Sequence, residues 1–153
     1  MRTILRLTPV LLAAFFISSC VKKEVIPPAP PNPIVGAWIL TNADESDGYS
    51  WQSFYTGLEN GIFYLYGNGT AEYDNGSTVM QGTWYMPATT GPYYDENGNY
   101  QNGYHNSLQI NLSDAYSHGS VDMTFDYVTF IGNRFIATYD NGSTTERYWF
   151  SSY

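Results

Sequence analysis

Val121-Asp-Met-Thr-Phe-Asp-Tyr-Val-Thr-Phe130 alternates apolar and polar residues as far as Tyr127, then slips by one, so that Val128 and Phe130 fall on the opposite phase. Alternation with period two is the pattern of a strand with one face toward a core. A one-residue slip inside such a run is the mark of a β-bulge. Leu108-Gln-Ile-Asn-Leu-Ser113 repeats the alternation, and Ile62-Phe-Tyr-Leu-Tyr66 is an unbroken β-prone run. No segment of the chain holds a 3.6-residue apolar period over three turns. The same reading applied outward predicts strands near 34–41, 51–56, 61–66, 70–74, 78–85, 107–113, 121–130, 134–140 and 144–150, with 51–56 the one that could instead be a helical turn or loop. Between them stand turn residues. Asn75-Gly76 and Asn141-Gly142 are the dipeptides of a type I′ hairpin, and Gly67-Asn-Gly69 and Gly132-Asn133 suit further tight turns. Short strands at this spacing predict an all-β fold, an antiparallel meander closing into a barrel of about eight strands.

The hexapeptide Tyr73-Asp-Asn-Gly-Ser-Thr78 recurs as Tyr139-Asp-Asn-Gly-Ser-Thr144. The flanks diverge, so reuse of one turn chemistry accounts for it better than duplication of a hairpin.

Ahead of these strands the composition changes twice. Met1-Arg-Thr-Ile-Leu-Arg6 is basic, Leu7–Ile17 is mainly apolar, and Ser18-Ser19 precede the sole cysteine, Cys20. This is the layout of a secretory signal, too short for a membrane span. Ile17-Ser-Ser-Cys20 resembles the lipobox of bacterial lipoproteins. That resemblance implies cleavage after residue 19 and a diacylglyceryl group on the Cys20 sulfur. Val21, where an Asp would imply inner-membrane retention, implies outer-membrane anchoring. Residues 21–33 carry five prolines and read as an extended tether. The chain therefore divides into a signal (1–19), a lipidated cysteine with its tether (20–33) and a domain (34–153).

The domain holds two arginines, Arg134 and Arg147, no lysine and thirteen acids, so its formal charge is −11. Phosphate recognition needs clustered cations, so no nucleic-acid partner is expected. A single cysteine makes no internal disulfide, and no cofactor is expected. Asp95-Glu-Asn-Gly-Asn99 and Asp44-Glu-Ser-Asp-Gly48 resemble parts of calcium loops, but neither has the full ligand spacing. His105 and His118 sit in no nucleophile motif, and no Gly-x-Ser-x-Gly, His-Glu-x-x-His or phosphate loop is present. No enzymatic activity is expected.

Ile34-Val-Gly-Ala-Trp38, Gly67-Asn-Gly-Thr70, Gly82-Thr-Trp84 and Tyr148-Trp-Phe150 together resemble the small lipocalin-like lipoproteins of Gram-negative bacteria. The resemblance implies a lipocalin-like barrel in which Gly36 and Trp38 mark the first strand. It also implies that Arg147 stacks on Trp38 at the barrel floor. The segment 87–105 interleaves Tyr93, Tyr94, Tyr100 and Tyr104 with Gly, Asn and Asp and is expected to be a long loop. Its rings and amides suit glycan or protein recognition. Trp51 and Tyr55 are candidates for the barrel mouth. Three functions stay open: a carrier of a small apolar or amphipathic ligand inside the barrel, a surface recognition module, and a structural envelope lipoprotein.

Overall fold

The computed structural model describes residues 32–153. The signal, Cys20 and most of the tether lie outside the described residues. The domain is all β: β1 (Gly36–Ser46), β2 (Trp51–Ser53), β3 (Ile62–Leu65), β4 (Thr70–Asp74), β5 (Val79–Tyr85), β6 (Ala88–Tyr94), β7 (Tyr100–Ser113), β8 (Ser120–Ile131), β9 (Arg134–Asp140) and β10 (Thr145–Ser152). Eight of these form an antiparallel ring in the order β1-β3-β4-β5-β7-β8-β9-β10, and β10 pairs back onto β1. β2 lies beside the second half of β1, and β6 pairs only with β7.

The bulge read from the slip at Tyr127 is present. Asn106 pairs with Val128 while Leu108 pairs with Phe125, so β8 carries one residue more than β7 across this step. Met123, Phe125, Val128 and Phe130 therefore all pack in the core, and Tyr127 is turned to the other face. A second irregularity, at Thr41, lets β1 run on to Ser46, where the sequence suggested that the strand ends at 41 and an acidic cluster resembling part of a calcium loop follows. The segment expected to be a long loop is instead a hairpin of β6 and the first half of β7. Pro92 and two glycines hid it, because proline inside a run argues against a central strand. β6 is an edge strand, where a missing N–H costs no ladder bond.

Both repeated hexapeptides close hairpins in the same way. Asn75 Oδ1 accepts from the Ser77 and Thr78 amides, and Asn141 Oδ1 accepts from those of Ser143 and Thr144. Only the glycines, Gly76 and Gly142, have positive φ in these turns. The type I′ expectation, which needs positive φ at the asparagine as well, is thus corrected: the asparagine carboxamide caps the turn and its own φ is not positive.

Aromatic rings fill the ring of strands. Phe135 stacks on Phe150 at 4.4 Å, Trp38 meets Phe135 edge-on at 4.8 Å, and Phe63 touches Tyr73 at 4.8 Å and Phe150 at 5.6 Å. Trp38 Nε1 donates to the Ile34 carbonyl and Trp84 Nε1 to that of Tyr66, both at 2.8 Å. The expected Trp38–Arg147 stack is not made. Trp38 pairs with Ser152, whereas Arg147 pairs with Asp44, six positions further along β1 and roughly 20 Å away.

β5 and β7 approach closely at Gly82, where an added Cβ would lie 1.9 Å from the Asn111 carbonyl oxygen. That atom belongs to the backbone and cannot rotate aside. Gly82→Ala is expected to cost about 1–3 kcal/mol in urea unfolding; a wild-type midpoint would show that β5 and β7 are not this close.

Candidate functional site

Register builds the site. Tyr127, Thr138, Arg147, Asp44 and Ser53 are lateral neighbours across β8, β9, β10, β1 and β2. The adjacent row, Val128, Ala137, Tyr148 and Ala43, faces the core. Side chains alternate along strands, so the first row points away from the core. From Tyr127 to Arg147 it is nevertheless covered, because the β6–β7 hairpin crosses it as a strap; Ser53, at the far end, is exposed. Tyr93 stacks on Tyr127 at 4.7 Å, and Thr138 Oγ1 donates to the Tyr94 carbonyl at 2.6 Å. Tyr127 Oη donates to Glu96 Oε2 at 3.1 Å, and Arg147 donates to the Glu96 carbonyl at 2.8 Å. Successive strap residues thus meet successive strands of the ring.

Arg147 is the clamp beneath the strap. Its guanidinium carbon lies 3.8 Å from the Trp51 ring centroid and 4.9 Å from that of Trp149. One Nη donates to Asp44 Oδ2 at 3.1 Å, while Nε is buried with no partner. Asp44 also accepts from Trp149 Nε1, Ser53 Oγ and Asn42 Nδ2. Burial on its own would raise the Asp44 pKa, but the bonds from Ser53, Arg147, Asn42 and Trp149 together hold it below the usual carboxylate value.

The strap tip is a turn built by Asp95. Its carboxylate accepts from the Asn97 and Asn99 amides and from the side chains of Asn99 and Gln101. These bonds outweigh burial and lower its pKa. Gly98, at φ +81°, fits against Trp51, where an added Cβ would be 2.9 Å from the indole. The partial calcium loops are thus occupied internally, Asp95 by its own turn and Asp44 by Arg147. Among the described residues no group of three or more His, Cys, Asp or Glu is placed to hold a metal.

Where the tip meets the β1–β2 loop and the β9–β10 turn, a cleft of about 360 Å³ opens. Trp51, Tyr94 and Tyr49 supply rings; Asn97, Asn99, Asp47, Asp140, Ser143 and Thr144 supply amides, carboxylates and hydroxyls. Among the described residues, no lysine, arginine or histidine lines it.

The candidate residues are therefore distributed unevenly. Trp51 and Tyr94 line the cleft, and Tyr93 lies under the strap against Tyr127 and His105. Tyr100 packs edge-on against Tyr94 but is mostly exposed, and Tyr104 points to solvent. Tyr55 is exposed and its Oη accepts from Asn60. Gly36 opens β1 opposite Leu65. His105 is buried with Nδ1 2.9 Å from the Gly103 carbonyl oxygen, and His118 is exposed in the β7–β8 turn. Reading the sequence missed Tyr49, Asp140 and Ser143, which looked like ordinary turn residues, and Asp44, which looked like part of an acidic loop. The signal that could have found them was that Tyr127 and Trp149 put aromatics on the face opposite the core.

Compared with family models, curated proteins and solved structures, the chain matches none of them.

Proposed function

We infer that this chain is a non-enzymatic recognition module, tethered to the outer membrane through lipidated Cys20, that binds a neutral carbohydrate in the cleft at the strap tip. The observation that carries this reading is the lining of that cleft. Indole and phenol rings offer stacking faces for the apolar side of a sugar, and the amides, hydroxyls and carboxylates suit its hydroxyl groups. The volume, about 360 Å³, lies within the range of small-ligand sites. With no cation among the described lining residues and a formal charge of −11 over 34–153, an acidic sugar is disfavoured. The ring-filled interior supports recognition on the outside of the barrel over carriage of an apolar ligand within it. The lipobox resemblance at Ile17–Cys20 and the five-proline tether support display of the domain at a distance from the bilayer.

The test is a glycan array probed with the full chain in nonionic detergent, followed by calorimetry on the best neutral glycan. Tyr49 is 94% exposed, so Tyr49→Ala leaves the fold alone. Tyr49→Ala and Asn97→Ala are each expected to weaken binding by about fivefold to tenfold, equivalent to roughly 1 kcal/mol. An array without neutral-glycan signal, or glycan binding indifferent to both changes, overturns the reading.

A further inference from the structure

A second opening lies in the wall of the ring itself. β8 and β9 are paired from Ile131↔Arg134 only as far as Tyr127↔Thr138. Below that point β9 continues to Asp140 while β8 runs back to Ser120, and the Asp140 amide donates to Asp126 Oδ2 at 2.9 Å. In this parting sits a cavity of about 510 Å³, distinct from the cleft at the strap tip. Its lining includes Met123, Phe125, Tyr139 and Tyr148, with the carboxylates of Asp122 and Glu146 and, among the described residues, no basic group.

These walls select by charge and by surface. Phe125 and Tyr148 meet edge-on at 5.0 Å, and Tyr139 stands opposite Glu146 in the β9–β10 ladder. Tyr148 Oη donates to Glu146 Oε2 at 2.6 Å and so fixes the carboxylate beside the rings. Burial, then Glu146 and Glu45, push the Tyr148 pKa up from a value already well above neutrality. The negative face of an aromatic ring attracts a cation, most strongly where water is partly excluded. An anion entering here meets Glu146 and Asp122. A neutral apolar group makes the ring contacts but leaves the carboxylate without a counter-charge.

We propose that the side opening between β8 and β9 is a binding site for a small organic ammonium ion, held against Phe125, Tyr139 and Tyr148 and neutralised by Glu146. It shares no lining residue with the cleft at the strap tip and stands or falls independently of carbohydrate binding.

The probe is benzyltrimethylammonium, titrated calorimetrically into the full chain in nonionic detergent, with benzyl alcohol and benzenesulfonate as the neutral and anionic comparisons. Saturable binding of one cation per chain is expected, with both comparisons at least about tenfold weaker. Glu146→Gln keeps the Tyr148 bond but removes the charge, and is expected to weaken cation binding by about tenfold. Tyr139→Leu keeps the bulk but removes the ring, with a similar loss. Circular dichroism checks that both variants are folded, and Tyr116→Ala, at a 95% exposed side chain in the β7–β8 turn, serves as a folded control with unchanged cation affinity. Absence of saturable binding up to about 10 mM, equal binding of benzyl alcohol, or indifference to Glu146→Gln each overturns the proposal.

Discussion

Replacing Arg147 with Met is expected to lower the melting temperature by about 10–20 °C, from a loss of roughly 3–5 kcal/mol. The substitution leaves Asp44 buried with its cationic partner gone, and it removes the donor to the Glu96 carbonyl that holds the strap tip. Side-chain bulk is largely kept, so lost packing does not explain the effect. Two further readouts separate a clamp from a generic destabilisation. Amide exchange should accelerate first within 88–105, because the strap is a two-stranded ribbon fastened at few points. The pH dependence should also change. The Asp44 pKa is depressed in the folded state, so its contribution is complete above the ordinary carboxylate value and is lost as pH falls through the lowered one. Between about pH 5 and about pH 2 the wild type should therefore lose more stability than Arg147→Met. Glu59 and Asp114 are lowered too, by bonds the substitution does not touch, and they cancel in the comparison, whereas Asp95, in the loosened strap, shifts the difference in the same direction. Equal acid sensitivity of the two proteins would place the Asp44–Arg147 pair outside the energetics of the fold.

Phe150→Ala is expected to cost about 3–5 kcal/mol and to create a new binding property. Phe150 is fully buried and touches Phe63, Phe125 and Phe135. Its removal takes out the ring on which the others converge, and a rigid aromatic surround collapses only partly into such a gap. An apolar cavity of that kind stays dry and admits benzene-sized ligands. With the opening between β8 and β9 filled by excess benzyltrimethylammonium, benzene should therefore bind Phe150→Ala saturably at low temperature and leave the interior of the wild type empty. Stoichiometric benzene binding inside the wild-type ring would show instead that its interior is open, and would return the carrier function to consideration.

The all-β fold was legible in the sequence because its signals are local. Alternation over 108–113 and 121–130, a phase slip at Tyr127 and glycine-bearing turns depend only on neighbouring residues, and each has a counterpart in the strands and the bulge. The strap was not legible. Gly91, Pro92 and Gly103 weaken the strand signal, and what orders β6 from outside its own hairpin is contact with Tyr127 of β8 and Thr138 of β9. The same holds for the clamp. Asp44 and Arg147 are far apart in the chain, and they meet only because β10 closes the ring against β1 in one register. Trp38 illustrates the reverse case, since resemblance suggested an arginine partner that register places elsewhere. By itself, then, the sequence determined the ring strands and the turn positions, which are properties of short windows, and the domain's negative charge, which is a property of composition. Tertiary structure alone decided which outward faces are covered and where rings and carboxylates converge, because those depend on cross-strand register, which no short window contains.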